Sequence, residues 1–98
     1  MASLWDEVGA AVHKTPHQVE IEALHAWISH ELAETDREII SYVRKYRVVH
    51  PEQIEQAIRD GRLDGHPAWE DMIDWMNLIA YREQLLTLQT NLASETKP

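Results

Sequence analysis

Wound at 100° per residue, Leu24, His25, Ile28, Leu32, Ile39, Val43 and Tyr46 all fall within about 60° of Ile21. The stripe keeps its phase through the polar stretch LAETDRE, which holds neither glycine nor proline. Thr35 and Glu38 have the spacing of a capping box, yet the unbroken phase predicts one helix over about residues 16–47 rather than two. At 1.5 Å per residue such a rod is roughly 48 Å long.

Helix starts and stops are sparse but legible. Ser3 can cap a short helix over about residues 3–13. Thr15, Pro16 and Gln18 read as N-cap, first helical residue and capping-box acceptor. Pro51 can open a helix over about residues 51–60 that Gly61 ends, and Pro67 opens a second long helix over about 67–93. Residues 94–98 are left as a disordered tail. No stretch reads as a strand, so the expected fold is all-α: a long antiparallel helical hairpin with short flanking helices, in a single domain over residues 1–98.

The last long helix has two apolar faces. Trp69, Met72, Ile73, Met76, Ile79 and Ala80 point one way and are expected to meet the first long helix. Leu78, Tyr81, Leu85, Leu88 and Leu92 form a heptad-like seam centred roughly 150° away. A short N-terminal helix bearing Leu4, Trp5, Val8 and Val12 can cover only part of that seam. A second chain is therefore expected to cover the rest, completing a four-helix bundle by dimerisation.

Composition supports this. A chain of 98 residues buries a thin core, and with no cysteine neither a disulfide nor a thiolate metal site can staple it. Seventeen acidic against nine basic residues give a formal charge of -8, which repels nucleic acid and anionic membrane surfaces. No apolar run approaches the roughly 20 residues a membrane span needs, and MASLWDEVGAAVHK lacks the pattern of a secretory signal. A cytoplasmic protein is the expectation.

One constellation could carry chemistry. Glu22 and His25 have the Glu-x-x-His spacing by which helical di-metal proteins aim a carboxylate and an imidazole at one ion. In an antiparallel hairpin Glu83 would approach them, and a dimer would double the set. Iron, manganese or zinc would be the ions such donors hold. The spacing is common on Glu-rich helices, and the plainer reading is a half-buried His25 hydrogen-bonded to Glu83 or a hydroxyl.

The remaining histidines offer less. Pro16 separates His13 from His17, and His50 and His66 each precede a proline, where turn geometry accounts for them. No cofactor motif, phosphate loop or nucleophile elbow is present, and a thin hairpin offers acid–base groups no pocket. The sequence thus reads more as a small acidic helical binding protein than as an enzyme. It would work through protein–protein interaction as a homo-oligomeric accessory or regulatory subunit, with a ferritin-like oxidase or storage protein as the alternative. The identity of any further protein partner has no signature in the chain.

Overall fold

A computed structural model describes residues 3–95, and they form four helices and no strand. These are α1 (Leu4–Val12), α2 (Pro16–Tyr46), α3 (Glu52–Arg59) and α4 (Gly65–Glu95). Ser94 and Glu95, expected in a tail, lie in α4; residues 96–98 are outside the described range.

The sequence signals act locally as expected. The Asp6 N–H donates to Ser3 Oγ at 3.2 Å while the Ser3 N–H donates to the Asp6 carboxylate at 2.9 Å, closing a capping box. The Thr15 N–H donates to Gln18 Oε1 at 2.8 Å and the Gln18 N–H to Thr15 Oγ1 at 3.1 Å, a second one. Helix α1 ends where His13 turns left-handed at φ 61°. Helix α2 ends the same way at Arg47, φ 55°, whose N–H still reaches the Val43 carbonyl at 2.8 Å. Gln53 Oε1 then accepts from the N–H groups of Val49 and His50, both at 2.9 Å, which fixes the entry to α3. Gly61 supplies the positive φ of 74° that closes α3. His66 is extended (φ -121°, ψ 128°), as a residue before proline prefers, so regular α4 begins at Pro67.

The chain packs as two compact units, and the division falls within both long helices. The first unit holds the residues up to Glu31 and from Leu85 onward. Here Ile28, Leu85 and Leu92 are buried. Gly9 of α1 is buried too, and a Cβ there would stand 2.6 Å from the Lys14 carbonyl oxygen, so the turn into α2 lies directly against the glycine.

The second unit, Leu32–Gln84, has the larger core. Ile54 of α3 packs with Ala68, Met72 and Trp75 of α4, and Ile39, Tyr42, Val43 and Tyr46 of α2 close over them. Contacts run in opposite senses along the two helices: Asp36 meets Arg82, Tyr42 stacks on Trp75 and Tyr46 meets Asp71. Within this unit α2 and α4 are therefore antiparallel, as the hairpin reading requires.

The faces of α4 are distributed differently from expectation. Of the set assigned to the first long helix, Met72 is buried, whereas Trp69, Ile73, Met76 and Ile79 are exposed. Of the seam assigned to a second chain, Leu85 and Leu92 are buried within the chain itself, Leu78 and Tyr81 are half-buried, and Leu88 is exposed. Trp75 explains the difference. Of the two indoles on the helix it is the buried one, 1% exposed, and centring the inner face on it rotates that face toward Leu78 and away from Ile73.

Candidate interaction surfaces

The expected metal donors are placed as follows. Glu22 is exposed and its carboxylate pairs with Lys14 Nζ at 2.5 Å. His25 is half-buried on α2, also in the first unit, and Glu83 is exposed at the edge of the second. Among the described residues no three His, Asp or Glu side chains converge as a metal site within the chain.

The strongest polar cluster joins α2 to α4. Lys45 Nζ donates to the Asp71 carboxylate at 2.7 Å, and the Tyr46 hydroxyl makes a short hydrogen bond to the same oxygen. The Lys45 ammonium and then the Tyr46 hydroxyl hold the Asp71 carboxyl below its usual range. Burial first, then the bond to Asp71, pushes the Tyr46 hydroxyl up. The cluster is a clasp on the core beneath it, and sequence spacing gave no sign of it because its partners lie 25 and 26 positions apart.

The clasp sets a pH dependence. Because the folded Asp71 carboxyl titrates lower than the unfolded one, its contribution is complete above the unfolded value and is lost as pH falls through the folded value. Chemical unfolding across the acidic range should show the parent losing stability more steeply than Asp71→Asn. Equal slopes would mean that the clasp contributes nothing.

Three apolar surfaces stay open. On α1, Leu4, Trp5, Val8 and Val12 are all exposed, Leu4 at 72%. These side chains were expected to help cover the α4 seam, and they do not lie buried. In the first unit a shallow groove between α2 and α4 is lined by Leu24, Trp27 and Leu88, with Glu20 and Glu95 at its rim. In the second unit Trp69, Ile73, Met76 and Ile79 form an exposed ridge along α4.

The surroundings of the ridge follow from helical spacing. One side of the α2–α4 pair is a polar groove lined by Glu38, Ser41, Asp74 and Asn77. The ridge opens on the other side. On α2, Ala33, Arg37, Ile40 and Arg44, spaced four, three and four apart, align along the outer face, away from the packed Tyr42 and Tyr46. Ile40 is exposed, Arg37 pairs with Glu34 at 2.8 Å, and among the described residues Arg44 enters no ion pair.

The model of one protein family, described as Uncharacterized protein MJ0235, matches residues 1–97. The chain belongs to that family. No curated protein and no solved structure matches it. The match spans all four helices, so the ridge, the groove and α1 lie within the family's own region. No described helix is long and apolar enough to cross a membrane.

Proposed function

We propose that the protein works by binding other protein chains, first a second copy of itself, as a homo-oligomeric accessory or regulatory subunit. The ridge of Trp69, Ile73, Met76 and Ile79 carries this reading. Contiguous exposed apolar side chains are uncommon on a monomer unless they are used, and Trp and Met are enriched at interface centres. Two hairpins meeting through this ridge would form the four-helix core that one chain lacks. The surface is thereby moved from Leu85 and Leu92, which the chain covers itself, to the opposite flank of α4. The alternative, a shared metal centre, keeps only the Glu-x-x-His spacing in its favour, since Lys14 engages Glu22.

Light scattering on the full chain at micromolar concentration should give the mass of a dimer or larger. Ile73→Glu combined with Met76→Glu should reduce it to monomer mass while far-UV circular dichroism keeps its helical signal. A parent of monomer mass would overturn the proposal.

A further inference from the structure

We infer that the apolar groove of the first unit seats a helix of a different protein, one whose apolar stripe is flanked by lysine or arginine. This binding goes beyond self-association through the ridge and does not depend on it.

The groove has the form of a helix seat. Ile28 and Leu92 are buried in its floor, while Leu24, Trp27 and Leu88 form its walls and remain 43%, 49% and 48% exposed. Its lining on α2 runs from His17 to Ile28, roughly 16 Å at 1.5 Å per residue, the length of a three-turn helix. An open trough of that length between two helices suits the apolar side chains that a partner helix presents at i, i+3, i+4 and i+7. A small molecule, by contrast, is held in an enclosed cavity with converging polar groups.

Charge selects the partner's flanks. Glu20 and Glu95 line the groove, the lining holds no lysine or arginine, and among the described residues neither acid enters an ion pair. The first unit has one lysine or arginine among its described residues, Lys14, and its ammonium is engaged by Glu22. Cations entering beside Glu20 and Glu95 therefore meet uncompensated negative charge, and one of them can lie over the exposed Trp27 ring.

The same charges turn away the chain's own open apolar surfaces. Asp6 and Glu7 stand on α1, and the exposed Glu83 shares the face of the ridge, so either surface, brought in by a second copy, sets acid against acid. The basic outer face of α2 offers one large apolar side chain, Ile40, between Arg37 and Arg44, which leaves most of the groove unfilled.

Titration of the full chain with a synthetic amphipathic helix of leucine and lysine, its leucines on one face, tests this by fluorescence anisotropy and by NMR shift mapping. The peptide should bind and shift the amide signals of Leu24, Trp27 and Leu88. A peptide of the same composition with its leucines scattered around the helix should bind about tenfold or more weakly, and so should the ordered peptide with glutamate in place of lysine. Glu20→Lys with Glu95→Lys should reverse the preference between the lysine and glutamate peptides, and Trp27→Ser, at an exposed position, should weaken the lysine peptide about tenfold. The neutral pair Glu20→Gln with Glu95→Gln should weaken it about threefold or more, which keeps the test valid if a reversal disturbs folding. Circular dichroism checks that every variant remains helical. Equal binding of the ordered and scattered peptides, or an affinity indifferent to these substitutions, would reduce the effect to general attraction by an acidic chain and overturn the proposal. Shifts centred on the ridge or on α1 would overturn it as well. Groove signals that move on dilution of the chain alone would assign the groove to a second copy, and tighter binding of dodecyltrimethylammonium below its micellar concentration would assign it to a small cationic amphiphile; either result overturns the partner helix.

Discussion

Trp75→Ala should lower the melting temperature by more than about 12 °C. The indole is 1% exposed, stacked on Tyr42 with centroids 6.3 Å apart, and packed with Ile54, Ala68 and Met72. Truncating a buried tryptophan to alanine costs about 3–5 kcal/mol, because transfer energy is lost and the cavity cannot fully collapse. A domain of this length has about 5–15 kcal/mol in total, and each kilocalorie shifts its melting point by about 4–8 °C. Trp75→Phe, which keeps an aromatic stack on Tyr42, should cost far less. Thermal unfolding by circular dichroism measures both, and a melting point for Trp75→Ala within a few degrees of the parent would show that the core of the second unit lies elsewhere.

What the sequence made legible was local. The two capping boxes at Ser3 and Thr15, the helix start at Pro67 and the uninterrupted phase of α2 all depend on residues within four positions of one another, and each is found in the structure. What it could not decide was which face of α4 turns inward. Apolar residues surround much of that helix, so periodicity admits two stripes, and a single-helix pattern does not reveal which stripe meets a partner. The choice is made at long range, where Ile54 and Tyr42 enclose Trp75. For the same reason α1 was read as a cover for the seam, although its apolar side chains are exposed. The candidate site shows the same limit. Glu22 and His25 were visible as a spacing, but the Lys14 partner of Glu22 depends on a turn whose geometry Gly9 sets.

Thr35 has the capping-box distance from Glu38, yet it stands inside the stretch predicted as one helix, and proline separates the two roles. In the structure Thr35 is 3% exposed near the middle of a continuous 31-residue helix. Among the described residues no buried side-chain oxygen or nitrogen lacks a hydrogen-bond partner, so its hydroxyl is satisfied as well as buried. Proline there would remove the backbone N–H from the helical ladder and press its ring against the carbonyl of Glu31, at a cost of about 3 kcal/mol or more. The loss of the threonine hydroxyl adds about 0.5–1.5 kcal/mol. At a true N-cap the whole penalty would be nearer 1 kcal/mol. Thr35→Ala supplies the reference, because it deletes the hydroxyl and leaves the ladder intact. Chemical unfolding should place Thr35→Pro several kilocalories below Thr35→Ala, with a loss of helical signal before denaturant is added. If the two variants unfold at the same midpoint, α2 is interrupted at this residue and the long rod that carries the Arg37–Ile40–Arg44 face does not exist as one element.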